Sequence, residues 1–182
     1  MDTLGIVESK SIAAGIQLAD AMMKAADVEL VRAAPICSGR YLIFVSGNRA
    51  AVGASVDAAV NYGHRLMGSF VISNLSPEVA AVLKKNVPLE HVQAVGVVEC
   101  RSVSSGVAAA DAAVKRSGIE LARFAAGQGI NGKSYFVMSG DVAAVQEAAD
   151  AASAVLGKNL VEAVVIPGPD ASVVKALVRG TR

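Results

Sequence analysis

The chain has 182 residues, 53% apolar but only 4% aromatic, with 18% charged residues and a net charge of +1. That length allows one medium domain or two small ones. The near-neutral charge, with no run of Lys or Arg, excludes the electrostatic footprint of a nucleic-acid binder. The longest apolar runs, such as Tyr41–Val45, are strand-sized and far too short to span a membrane, and no basic, hydrophobic N-terminal segment points to export. Two cysteines, Cys37 and Cys100, with no C-x-x-C, exclude a disulfide-rich scaffold and suit a reducing cytosol. So apolar a chain with so few charges is expected to hide further surface in an assembly.

In chain order, LGIVE (4–8) alternates as a short strand, and Ser11 then caps a helix with apolar residues at 12, 16, 19 and 23. VELVRAA (28–34) and YLIFVS (41–46) read as two further strands. Asn48 caps a second helix, SFVISN (69–74) is a fourth strand, and Ser76-Pro77 opens a short helix. A linker follows near NVPLEHVQ (86–93), marked by Pro88. The same series then runs again. VGVVE (95–99) is a strand, Ser102 caps a helix with apolar residues at 103, 107, 110 and 114, and YFVMSG (135–140) is a later strand. Asp141 caps the next helix, EAVVIP (162–167) is a strand, and Asp170 opens a last short helix.

The repetition is literal. At an offset of 91 residues Val7, Glu8, Ser11, Gly15, Asp20, Lys24, Glu29, Leu30 and Arg32 all meet identical residues. The offset becomes 93 by Gly47 and Gly140, so the second copy carries two extra residues in the intervening loop. Two copies are too few for a solenoid. The chain is therefore a tandem duplication, with one domain over 1–88 and the other over 93–182. Each domain runs β-α-β-β-α-β, the split β-α-β order of an α+β ferredoxin-like sandwich with both helices on one sheet face.

GQGINGKS (127–134) matches both G-x-x-x-x-G-K-S and G-x-G-x-x-G. A phosphate loop needs a helix immediately after it, whose N-terminal N–H groups hold the phosphates. Here a strand follows, and the corresponding first-copy loop, PICSGRY, has lost the pattern. The glycines at 127, 129 and 132 read instead as a loop that something approaches closely, its N–H groups exposed.

The order of LGIVES-SIAAG, ADAMMKAADVEL and the Gly-Lys loop before YFVMSGD resembles the shell proteins of bacterial microcompartments. It is most similar to the tandem-domain trimeric members, in particular the iron–sulfur-bearing kind from propanediol-utilisation compartments. The likeness covers essentially the whole chain. It implies a structural protein, not an enzyme, in the bacterial cytoplasm. Homotrimers would form pseudohexagonal discs that tile with other shell proteins around an enzyme core. The loops before YLIFVS and YFVMSG would line a central pore through Ile36, Cys37, Ser38, Gly39, Gly127, Gly129, Ile130, Asn131 and Gly132. Lys24 and Lys115 match the family's tile-edge lysine. Two departures stand out. The I-P-R-P-H segment that contributes an edge arginine is Ile166-Pro167-Gly168-Pro169-Asp170 in the second copy and Ile72-Ser73-Asn74-Leu75-Ser76 in the first. The family's Cys-Pro-Gly-Lys segment is Cys37-Ser38-Gly39-Arg40.

An iron–sulfur cluster needs three or four thiolates, so one chain cannot build a conventional site. The resemblance implies that Cys37 from three chains holds one 4Fe–4S cluster on the trimer axis, serving electron transfer with an encapsulated or cytosolic redox enzyme. N–H groups of the glycine loop would tune the cluster sulfurs. Two alternatives stay open: a tile whose open pore conducts a small metabolite with Cys37 incidental, and a ferredoxin-like sensor that binds a small ligand. Cys100 is expected to pack between sheet and helix. His64 and His91 lack metal-ligand spacing, and the duplicated Glu8 and Glu99 suit the fold or domain contacts better than acid–base catalysis.

Overall fold

The computed structural model describes residues 3–89 and 92–179; the linker histidine His91 lies outside the described residues. The first repeat runs β1 (Thr3–Ser9), α1 (Ile12–Ala25), β2 (Glu29–Ile36), a 3-10 turn (Cys37–Gly39), β3 (Arg40–Gly47), α2 (Arg49–Asn61), β4 (Leu66–Ser73) and α3 (Pro77–Lys84). The second runs β5 (Ala94–Cys100), α4 (Val103–Arg116), β6 (Glu120–Ala126), β7 (Ser134–Gly140), α5 (Val142–Leu156), β8 (Leu160–Pro167) and α6 (Ala171–Arg179). The sheets are antiparallel, ordered β2-β3-β1-β4 and β6-β7-β5-β8. This is the split β-α-β arrangement expected from the sequence. Even the irregularities are duplicated: the register shifts between Leu30 and Arg32 and again between Leu121 and Arg123.

The caps form as the sequence predicts. Ser11, Asn48, Ser102 and Asp141 accept the N–H of Ala14, Ala51, Ser105 and Ala144 respectively. Ser76 does not cap α3. Its N–H and hydroxyl both donate to Asp111 Oδ1, at 2.9 and 2.7 Å, and Pro77 begins the helix.

The backbone forms two compact units. One holds Met1–Leu75 with Ser102–Ser105 and Gly127–Gly132; the other holds the rest. In the first, Val7, Ile43 and Val45 of the sheet pack against Leu18, Ala19 and Met22 of α1 and Val52, Val56 and Ala59 of α2. In the second, Val95, Ala122 and Val137 are covered by Val174, Leu177 and Val178 of α6, with Leu89 and Val92 of the linker. No helix among the described residues is long and apolar enough to cross a membrane.

One expectation about α1 is corrected. The stripe at 12, 16, 19 and 23 is not its sheet-facing side: Gly15, Leu18, Ala19 and Met22 are buried, while Ile12, Ile16 and Met23 are 40%, 55% and 37% exposed. The helix has two apolar faces, and only one meets its own sheet. In α4 the counterparts Val103 and Val107 are fully buried.

Glycine sets how closely helix and strand approach. A Cβ on Gly15 would fall 2.2 Å from Tyr41 Cβ, and one on its counterpart Gly106 would fall 2.1 Å from Ser134 Oγ. Gly53 in α2 has nothing within 4 Å of such a Cβ. Gly15→Ala is therefore expected to cost about 1–3 kcal/mol through overpacking. Gly53→Ala should stabilise by about 0.5–1 kcal/mol through helix propensity. Denaturant unfolding of both variants measures the two opposite signs.

Candidate functional site

The first compact unit brings together the two loops singled out in the sequence. The Cys37–Gly39 turn leaves β2 and returns into β3 with Ser38 and Gly39 at φ 66° and 67°. Against it lies the second-repeat loop, where Gly127, Gly129, Asn131 and Gly132 have φ of 78°, 73°, 56° and 72°. Four positive φ values in six residues account for the glycine content, since few other residues adopt them at low cost. The loop then enters β7, so no helix N-terminus follows it as a phosphate loop would require.

The contacts between the loops are specific. Gly129 N–H donates to Cys37 Sγ at 3.2 Å, and the thiol faces Gln128 Oε1 at 3.6 Å. Gln128 Nε2 donates to the Pro35 carbonyl at 3.0 Å. The Ser38 hydroxyl donates to Asn131 Oδ1. A Cβ on Gly127 would come within 2.9 Å of the Ile36 side chain, and one on Gly132 within 2.9 Å of the Cys37 carbonyl. Ile36 is buried beneath this contact, Cys37 and Ile130 are half-buried, and Ser38, Gly39, Gln128, Gly129 and Asn131 are exposed. Sequence reasoning missed Gln128; nothing in its spacing announced that it reaches back to Pro35 and the thiol.

A buried charge anchors the pair of loops. Glu8 has no solvent exposure. Its Oε1 accepts from Arg40 Nη1 at 3.1 Å, and its Oε2 accepts the Ser104 N–H in the first turn of α4 at 2.9 Å. Arg40 also donates to the Gly132 carbonyl at 2.9 Å. The duplicate, Glu99, pairs with Lys133 at 2.9 Å, but the two side chains are 38% and 41% exposed. The duplicated carboxylates thus serve contacts within the fold, as their repetition implied.

The remaining predicted residues lie elsewhere. Lys24 and Lys115 each form an i,i+4 ion pair at 2.6 Å, with Asp20 and Asp111. Cys100 is fully buried on the helix-facing side of β5, and burial pushes its thiol up to about 12. His64 Nε2 sits 2.9 Å from Gln17 Oε1, and its ring stacks on Tyr62. Among the described residues no three His, Cys, Asp or Glu side chains cluster as a metal site within one chain.

The family model for the BMC domain matches twice, over residues 3–75 and 94–169, and so takes in both sheets and both loops. The chain belongs to the BMC-domain family of microcompartment shell proteins. It carries two such domains in tandem. It is 37% identical, over 97% of its length and 98% of the relative's, to the bacterial microcompartment shell protein PduT of Citrobacter freundii. A crystal structure of a microcompartment protein from Desulfitobacterium hafniense superposes with a TM-score of 0.82 at 38% identity, covering 96% of this chain and 99% of that one. A carboxysome shell protein of Halothiobacillus neapolitanus is 35% identical over 86 residues, 45% of this chain and 88% of its own length.

Two predictions follow from the geometry. Arg40→Ala leaves the buried Glu8 carboxylate uncompensated and should cost about 3–5 kcal/mol. Lys133→Ala, at the half-exposed duplicate pair, should cost no more than about 1 kcal/mol; unfolding midpoints compare them. In native protein at pH 8, iodoacetamide should alkylate Cys37 and spare Cys100, which stays a thiol there. Peptide mass spectrometry reads this, and both cysteines should react after denaturation.

Proposed function

We propose that the chain is a pore-bearing tile, three copies forming a pseudohexagonal ring whose axis is lined by the Cys37 turn and the glycine loop, with one 4Fe–4S cluster held there by three Cys37 thiolates. The family places the protein in the shell of a microcompartment in the bacterial cytoplasm. Tiling against other shell proteins, and electron exchange with an encapsulated or cytosolic redox enzyme, belong to the same proposal.

The observation that carries the cluster is the Gly129 N–H aimed at Cys37 Sγ. An amide donor on a half-buried sulfur, in a glycine-rich loop, suits the holding and tuning of a cluster-bound thiolate. The donor set fits only as one third of a site. One chain offers a single accessible thiol, because Cys100 is sealed in the core, and a threefold axis turns one thiol into three. When bound, the group would supply one-electron transfer across the shell. The chain's own residues present the sulfur, donate to it from Gly129, and fix the turn through Ser38–Asn131 and Arg40–Gly132.

Anaerobic reconstitution with iron and sulfide, followed by ultraviolet–visible and EPR spectra, tests this reading. About one cluster per three chains is expected, lost in Cys37→Ser. Iron-free protein after reconstitution would leave Cys37 an ordinary loop residue and return the function to an open pore conducting a small metabolite.

A further inference from the structure

The loop over 127–132 carries a second piece of chemistry. Asn131 is the only asparagine of the chain that glycine follows. Asparagine is among the thermally labile side chains, and a glycine after it leaves the next main-chain nitrogen with no side chain to shield it. That nitrogen can attack the asparagine's own Cγ. The new N–C bond closes a five-membered succinimide, and the Cγ–Nδ2 bond breaks, releasing ammonia that carries off the amide proton. Water then opens the ring at either carbonyl. One opening leaves aspartate. The other leaves isoaspartate, whose main chain runs through the former side chain and is one carbon longer. No oxidant or reductant enters.

Asn131 is exposed, so water reaches it. Both reacting groups are nevertheless engaged elsewhere. The nucleophile, the Gly132 nitrogen, donates its hydrogen to the Gly127 carbonyl at 3.2 Å. The Gly132 carbonyl accepts from Arg40 at 2.9 Å, which holds the following peptide plane as well. The electrophile is tied to the first-repeat turn, because Asn131 Oδ1 accepts the Ser38 hydroxyl. Asn131 meanwhile sits at φ 56°, a conformation that asparagine tolerates.

We propose that Asn131 is a modification site held latent by the contact between the two loops, deamidating through the succinimide only when the Ser38–Asn131 and Gly127–Gly132 hydrogen bonds open. The Ser38 bond joins residues of different repeats, so the amide reports whether the glycine loop is seated on the Cys37 turn. Conversion places a carboxylate there, and in isoaspartate an extra main-chain carbon. The seated loop has little room for it, since even a Cβ on Gly132 would lie 2.9 Å from the Cys37 carbonyl. The modified loop therefore favours the open arrangement. The reaction needs neither a cluster nor a ring of chains, so it stands apart from the reading of Cys37 as a ligand.

Peptide mass spectrometry of the full chain, sampled over time at mildly alkaline pH, tests the site, and chromatography separates the aspartate and isoaspartate peptides. In denatured wild type, Asn131 should convert faster than any other asparagine. Native wild type should convert there at least about tenfold more slowly, because local opening must come first. Ser38→Ala, with circular dichroism matching wild type, should convert about fivefold faster than native wild type, the worth of one hydrogen bond. Ser38→Gly also lacks the hydroxyl, accepts a φ of 66° without strain, and should behave alike. A denatured chain in which Asn131 reacts no faster than the other asparagines would overturn the site. Equal native and denatured rates would overturn the latch, and so would slow native conversion that neither Ser38 variant accelerates.

Discussion

The Glu8 carboxylate is the interaction on which the first compact unit depends. A charge fully removed from water carries a desolvation penalty of several kcal/mol unless it is paired and hydrogen-bonded. Here both oxygens are engaged, one by Arg40 and the other by the first turn of α4. Those two partners come from different repeats. Arg40 then passes the constraint on, because the same guanidinium holds the Gly132 carbonyl and with it the glycine loop. One buried acid thereby fixes a helix start from the second repeat and the loop that faces Cys37. The duplicate acid, half-exposed beside Lys133, shows how much of this is context and how little is sequence.

Duplication followed by divergence explains why both halves keep one fold while their surfaces differ. The conserved features are those each sandwich needs alone: caps at Ser11, Asn48, Ser102 and Asp141, the glycines at 5 and 96, and the bulges in β2 and β6. A Cβ at Gly5 or Gly96 would collide with Val52 and Val56 or with Val145, so the helices can lie close on the sheet only without it. Divergence is visible where the first repeat's sheet meets the start of α4: Gly68 makes room for Ser104 there, while their counterparts Glu162 and Ala13 are exposed.

The same division separates what the sequence disclosed from what it did not. Strand order, helix starts and the tandem architecture were legible because each follows from local pattern, and the second copy confirmed each reading of the first. The face of α1 was misread for a physical reason. Both of its sides are apolar, at 15, 18, 19 and 22 and at 12, 16 and 23, and periodicity cannot rank two stripes. The partners of Glu8 lie 32 and 96 residues away and Gln128 meets Cys37 across 91, proximities that no local signal carries.

The loop that imitates a nucleotide motif is where these constraints converge. Gly127 lies against Ile36, Gly132 lies over the Cys37 carbonyl, and all three glycines need positive φ. The glycines of the G-x-G-x-x-G match thus answer to positive φ at all three positions and to close approach at Gly127 and Gly132. The first-repeat loop is the surface being approached, and it carries Cys37 where Gly129 donates to the sulfur. A chain with one such domain would carry the same residues in every copy of that loop. Splitting the roles between two repeats lets glycine N–H donors and a thiol occupy neighbouring loops of one chain, each loop with its own residues.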